Sequence, residues 1–442
     1  MKLMTQITSK VISLDHDGRG TLPCGAKTAH VRFAVPGDEI EATLVKRVKG
    51  ELQGRLDRIV TPAPERVACE CPYGGSCGGC PLQMLAYESQ LKWKRTFVEQ
   101  AFRAAGFDFA IPEAQASDAL FRHRNRMDYV ISPGEDGGIA LGLKEPGRWW
   151  KTLDLKTCLM LSDDAVKCLA ATRDWLKRNS VVPWDVRSHV GFARYLVIRE
   201  GKNTGERLAI LVTHGPELPD EAGLVEALSP FATTILHAVN PTITDLSIGE
   251  TYRLLHGRPE LTEEVNGIRY AIPPRSFFQT NTAGAAALSD IVRGLADLKG
   301  DETLLDLYCG VGFFSLQLAK SAKRVLGVEL DADAIGAARR NAEANGALNV
   351  EFRPEKAEDL SWETEQPDVV LIDPPRSGLH PKVIDLLLEK APPRIVYVSC
   401  NYNSLVKELP RFLTRYKLTK IRLLDMFPHT PHVETVVVFE RM

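Results

Sequence analysis

Along the first sixty residues the apolar positions fall in short alternating runs: Val11-Ile-Ser-Leu, His30-Val-Arg-Phe, Ile40-Glu-Ala-Thr-Leu-Val and Gly54-Arg-Leu-Asp-Arg-Ile-Val. Period-two alternation puts every second side chain on one face and so predicts β-strands. Gly18, Gly20 and Pro36-Gly37-Asp38 supply the turns, and a small antiparallel barrel is expected over residues 1–62. Thr61-Pro62-Ala-Pro64 then predicts a linker, because two prolines at that spacing disfavour helix and strand alike. From Tyr87 to Ala105 the spacing becomes helical. Leu91, Phe97, Val98 and Phe102 are its apolar side, and Lys92, Lys94 and Arg95 are expected on an opposite, basic face.

Strand-like runs return between about 120 and 260, including Met127-Asp-Tyr-Val-Ile, Arg194-Tyr-Leu-Val-Ile-Arg and Leu208-Ala-Ile-Leu-Val, and predict a mixed central domain over residues 63–270. Beyond about 271 strands alternate with helices. Thr303-Leu-Leu-Asp-Leu-Tyr, Arg324-Val-Leu-Gly-Val-Glu-Leu, Val350-Glu-Phe, Val369-Val-Leu-Ile-Asp, Ile395-Val-Tyr-Val-Ser and Thr435-Val-Val-Val-Phe read as strands, with helices such as Ala334 to Asn345 between them. That alternation predicts a Rossmann-like, doubly wound α/β domain over residues 271–442.

Composition changes this picture little. With 442 residues, 44% hydrophobic and 25% charged, the chain has the balance of a soluble globular protein, not of a disordered one. Its formal charge of −2 means that any polyanion must be met by local basic patches. Eleven Lys and Arg stand against eight Asp and Glu up to Arg66, with Lys46-Arg47-Val-Lys49 the densest point. Phe121-Arg-His-Arg-Asn-Arg-Met and the stretch Lys144 to Lys151, with Trp149-Trp150, mix cations and aromatic faces in the way single-stranded RNA requires; a solvated basic turn beside core aromatics reads equally well for either segment. Met1-Lys-Leu-Met-Thr-Gln lacks the apolar run of a leader, and no stretch is long enough to cross a membrane, so a cytoplasmic monomer is expected. Nine cysteines, an odd number, argue for reduced thiols or metal ligands over a disulfide framework.

The candidate chemistry is concentrated at predicted strand ends. Gly310 and Gly312, in Asp306-Leu-Tyr-Cys-Gly-Val-Gly, follow the first strand of the α/β domain, and Glu329 ends the second, at the distance where an acid commonly binds ribose hydroxyls. Gly-x-Gly without a third glycine, together with Asp373-Pro-Pro-Arg, favours S-adenosylmethionine (SAM) over a dinucleotide. Ser399-Cys400-Asn401 and Pro431-His432-Val433-Glu434 add a thiol and a carboxylate base. A methyl donor, a thiol and a base suit alkylation of a poor carbon nucleophile such as C5 of uracil, which must be activated by thiolate addition at C6.

On these motifs the chain resembles the RNA (uracil-5-)-methyltransferase family over nearly its whole length, and most closely the branch with an N-terminal TRAM domain, an OB-like RNA-binding barrel, and an iron–sulfur cluster. The resemblance implies Cys400 as nucleophile, Glu434 as base, and Gln279, Tyr308, Glu329 and Asp373 as SAM contacts beside Gly310 and Gly312. Asp373 would also reach uracil. Phe313, Lys356 and Tyr402 stand where related enzymes carry two asparagines and, after Ser-Cys-Asn, a proline. Cys71-x5-Cys77-Gly-Gly-Cys80 offers three thiols in one loop, wider than paired zinc spacings, and suits a [4Fe–4S] cluster that tolerates a remote fourth ligand. The resemblance assigns that place to Cys158, with Cys69 as competitor. The expected substrate is RNA, first of all 23S ribosomal RNA. Three rivals remain: the same reaction on the T-loop uridine of transfer RNA, a non-catalytic RNA-binding or ribosome-assembly factor, and a radical-SAM methylthiotransferase, whose cysteine spacing is absent.

Overall fold

The computed structural model describes residues 4–359 and 365–442, so Met1–Leu3, part of the stretch read for a leader, lie outside the described residues. The chain divides into two compact units, one formed by Met1–Leu120 with Leu423–Val433 and the other by Phe121–Arg422 with Glu434–Met442. Among the described residues no helix is long and apolar enough to cross a membrane.

The first unit carries a six-stranded sheet over Thr5–Thr61, in the order Thr5–Lys10, Glu39–Val48, Glu51–Thr61, Lys27–Val31, Gly20–Cys24, Ser13–Leu14. In Glu39–Val48 the predicted alternation holds, with Ile40, Ala42 and Leu44 buried beside Val11, Leu22, Ala29, Val31 and Leu52. The predicted helix spans Tyr87–Ala104. Its basic face is smaller than expected, because Lys94 is 0% exposed and pairs with the equally buried Asp425, while its ammonium also donates to the Phe427 carbonyl at 3.0 Å. Lys94 sits three and four residues before Phe97 and Val98, which is the spacing of the apolar side. Its charge, not its position, made it look exposed.

In the second unit a seven-stranded sheet runs in the order Arg148–Asp154, Ile139–Glu145, Arg126–Pro133, Ala193–Glu200, Arg207–Thr213, Thr234–Val239, Thr251–His256. All eight residues of Ala193–Glu200 are buried, as a central strand requires. The α/β part of this unit contributes β1 (Thr303–Leu307), β2 (Arg324–Glu329), β3 (Val350–Pro354), β4 (Val369–Ile372), β5 (Arg394–Ser399), β6 (Tyr416–Leu424) and β7 (Glu434–Arg441). They lie in the order β3-β2-β1-β4-β5-β7-β6, with β1 to β5 parallel and β7 antiparallel to β5. Helix Thr282–Ala296 precedes β1, while Phe313–Leu318 joins β1 to β2, Ala332–Ala344 joins β2 to β3, Pro381–Lys390 joins β4 to β5 and Tyr402–Phe412 joins β5 to β6, so the expected α/β sheet is present. The carboxyl ends of β1, β4 and β5 are adjacent, which places a site where open α/β sheets bind ligands.

Candidate active site

Strand register brings the thiol and the carboxylate together. Ser399 pairs with Thr435 across the antiparallel β5–β7 ladder, so Cys400, the residue just past the end of β5, falls opposite Glu434, the first residue of β7. Thirty-four positions apart in sequence, the two become neighbours in space. Glu434 is 4% exposed, and burial, with the nearby Asp373 charge, pushes its carboxyl up to about 8. Burial likewise pushes the Cys400 thiol up to about 11, Glu434 and Asp373 raising it further while the Arg376 guanidinium opposes them.

Asp373 follows β4 directly, and its N–H donates to the Leu307 carbonyl at the end of β1. Burial and then Asp306 raise it to about 7. Asp306, on β1, is fully buried and also raised to about 7 by burial; Ser315 donates to its Oδ2 at 2.6 Å, and its Oδ1 has no hydrogen-bond partner among the described residues. Gln279 Nε2 donates to Asp373 Oδ2 at 3.2 Å. The segment carrying Gln279 is held from the central sheet: Asn125 Nδ2 donates to the Gln279 carbonyl at 2.9 Å, and the buried Arg199 guanidinium donates to the carbonyls of Pro273, Pro274 and Ser276 at 3.0, 3.3 and 3.1 Å.

The glycine turn is built for close backbone approach. Tyr308 and Gly310 have φ of 64° and 55°, left-handed values that cost a tyrosine free energy and a glycine little. The Tyr308 hydroxyl is raised to about 12 by burial and neighbouring acids. At Gly312, with φ 83°, a Cβ would stand 2.8 Å from the Phe352 ring, so no larger residue fits. Gly310 N–H donates to Glu329 Oε2 at 3.2 Å, which ties the turn to the acid ending β2. Phe278 and Phe313 belong to an aromatic core with Tyr270, at centroid separations of 5.3 to 5.6 Å, whereas Phe277 is 67% exposed. Lys356 is exposed. Tyr402 is buried at the first position of its helix, a place that suits proline; here Asn401 caps the helix by accepting from Asn403 N–H at 3.2 Å.

In the two basic–aromatic segments most of the cations are paired with acids. Arg122 pairs with Asp163 and Arg126 with Asp128, while Lys144, Arg148 and Lys151 pair with Asp245, Glu145 and Glu135. Trp149 and Trp150 stay exposed. Cys71, Cys77 and Cys80 lie partly exposed in a turn-rich loop of the first unit, with Gly79 N–H directed at the Cys77 sulfur at 3.4 Å. A Cβ on Gly74 would meet the Cys69 sulfur at 2.7 Å. Cys158 is buried in the second unit. Thiols with a backbone N–H directed at sulfur are a suitable donor set for iron–sulfur chemistry, although among the described residues no three metal-ligating side chains form a group that could hold an ion.

The structure of Pyrococcus abyssi tRNA (uracil-54, C5)-methyltransferase in complex with S-adenosyl-L-homocysteine matches with TM-score 0.81 at 34% identity, covering 98% of this chain and 100% of that one. Fold and site together define an α/β methyltransferase of the SAM-dependent type. The tRNA (uracil-5-)-methyltransferase family matches residues 258–367 and 355–442. A tRNA (uracil(54)-C(5))-methyltransferase of Pyrococcus horikoshii is 37% identical over 96% of this chain and 98% of its own, and an uncharacterised RNA methyltransferase of Caldanaerobacter subterraneus is 34% identical over 98% of each. The chain belongs to this family of RNA (uracil-5-)-methyltransferases.

Proposed function

We propose that the protein transfers the methyl group of SAM to C5 of a uridine in transfer RNA, position 54 of the T-loop. The observation that carries the chemistry is the β5–β7 register that sets Cys400 against Glu434 at the carboxyl end of the sheet. Relatives of stated substrate act on uracil 54 of tRNA, which moves the proposal from 23S ribosomal RNA to transfer RNA.

Bound SAM supplies an electrophilic methyl group; Gln279, Tyr308, Gly310, Gly312, Glu329 and Asp373 would line its place. The Cys400 thiolate adds to C6 of uracil, and the resulting enolate places electron density on C5, which takes the methyl group. Glu434, as carboxylate, then removes the C5 proton, the C5–C6 double bond re-forms and the thiolate leaves. A flipped base costs a few kcal/mol to extrude from a duplex and less from a loop, which suits a T-loop target. The N-terminal six-stranded sheet, residues 1–62, is assigned as a TRAM-like RNA-binding module, residues 63–270 as iron–sulfur loop and central RNA-binding domain, and residues 271–442 as catalytic domain. Cys71, Cys77 and Cys80, with Cys158 as the fourth ligand that the resemblance assigns, are proposed to hold a [4Fe–4S] cluster; no step of the methyl transfer uses it.

Incubating the purified protein with SAM and unmodified transcripts tests the substrate. Methylation of a tRNA, lost when uridine 54 is replaced by cytidine, is the expected result. Methylation of 23S RNA fragments with none on tRNA would overturn it.

A further inference from the structure

Glu408 lies on the helix Tyr402–Phe412 that follows Cys400, and the chemistry above makes no use of it. It is buried, yet both carboxylate oxygens are engaged. Oε2 accepts from the Tyr397 hydroxyl at 2.9 Å, and Oε1 accepts from Leu379 N–H at 2.8 Å. Tyr397 is three residues before Cys400 on β5, whereas Leu379 ends the loop that begins at Asp373. Next to Leu379, Gly378 has φ 88°, and a Cβ there would stand 2.2 Å from Glu408 Oε1, so the carboxylate occupies the space a side chain would need. Further along the same loop, Asn401 Nδ2 and Ser404 Oγ both donate to the Arg376 carbonyl, at 3.0 and 3.1 Å. The loop 373–379 is thus fastened to the Cys400 turn and helix at two points.

A buried carboxylate is a costly way to fill a core position, since an apolar side chain of similar size needs no desolvation. What an apolar side chain lacks is directed acceptors, which hold two segments in one relative geometry. We propose that Glu408 is a positioning residue: it holds the Asp373–Leu379 loop in register with β5, so that Asp373 and Arg376 stand at a set distance from the Cys400 thiol when it attacks. Glu408 touches neither substrate nor donor. The proposal rests on Cys400 as the nucleophile.

The test uses the full-length protein and tRNA carrying 5-fluorouridine at the target position. After addition and methyl transfer C5 bears fluorine in place of a removable proton, so the adduct persists on a denaturing gel and its rate of formation reads addition and methyl transfer without proton removal. Glu408→Ala is expected to form adduct on the order of 10²-fold more slowly, the scale of an ångström misplacement, with affinity for S-adenosyl-L-homocysteine unchanged. Glu408→Gln, which keeps an acceptor for Leu379 and offers a donor to Tyr397, is expected to recover most of the rate. If the alanine variant does not fold, Glu408→Asp and Tyr397→Phe are read in the same way and should each slow the adduct. An adduct rate equal to wild type in Glu408→Ala, or in both substitutes, overturns the proposal, as does an equal loss of donor affinity and rate. No adduct with the wild-type protein would overturn the assignment of Cys400, and this inference with it.

Discussion

Burial at the tip of β5 holds protons on the groups that must lose them. With the Cys400 thiol at about 11 and Glu434 at about 8, the resting site at neutral pH is largely protonated, and thiolate forms only where a cation or an acceptor offsets desolvation. Arg376 is the cation already facing the thiol. Cys400→Ala is therefore expected to abolish methylation while donor binding, measured by calorimetry, persists. Because proton removal needs ionised Glu434, breakdown of the methylated adduct in single-turnover assays should accelerate as pH passes about 8 and then level off. Cys400, Glu434 and Asp373 stand out in the sequence through the motifs Ser399-Cys-Asn, His432-Val-Glu and Asp373-Pro-Pro-Arg, each beside an apolar strand run. Glu408, Asn125 and Arg199 do not: the groups they hold are between 11 and 157 residues away, and only the fold brings them within reach.

At the scale of elements, charge misled where periodicity did not. The helix Tyr87–Ala104 was predicted almost to the residue, but Lys94 was assigned to solvent although its spacing to Phe97 and Val98 puts it inside. Removing one partner of such a buried pair strands the other charge, so Lys94→Ala should cost about 3–5 kcal/mol of unfolding free energy in denaturant titration. The double change Lys94→Met with Asp425→Leu should recover much of that loss. Strand β6 escaped prediction for a physical reason. Its buried positions are Tyr416 and Leu418, then Ile421 and Leu423, and the shift of phase at Thr419-Lys420 breaks the alternation on which strand prediction depends. For the cysteine loop, anaerobically purified protein should be brown, with about four iron atoms and four sulfides per chain. Stoichiometric zinc without acid-labile sulfide would contradict that assignment.

For the whole molecule, three acids of the site, Asp306, Asp373 and Glu434, link stability to pH through their raised pKa. Asp306 and Asp373 move from 3.8 to about 7, and Glu434 from 4.5 to about 8. The folded chain thus keeps protons that the unfolded chain releases at lower pH, so their stabilising contribution is complete below about pH 4 and is lost as pH rises to about 8. Each group contributes a slope of up to about 1.4 kcal/mol per pH unit between its two values. Buried His237 and His429, held down at about 4, act in the opposite sense up to about pH 6.5, so the melting temperature of the unliganded protein should fall between about pH 6.5 and pH 8, and less steeply in Glu434→Gln. The α/β class and its strand ends were legible in the sequence, since parallel strands read as apolar runs; which RNA is modified was not, because the site motifs serve the uracil chemistry common to both targets and the basic–aromatic segments carry no base-specific pattern. One thiol and one carboxylate, set opposite each other by the β5–β7 register, are proposed to methylate uracil through a covalent adduct. Glu434→Gln protein mixed with SAM and unmodified tRNA tests this mechanism most directly, by mass spectrometry of the digested complex. A SAM-dependent crosslink between the peptide bearing Cys400 and a methylated uridine is expected; steady turnover without a crosslink, or a crosslink through another residue, would rule this mechanism out.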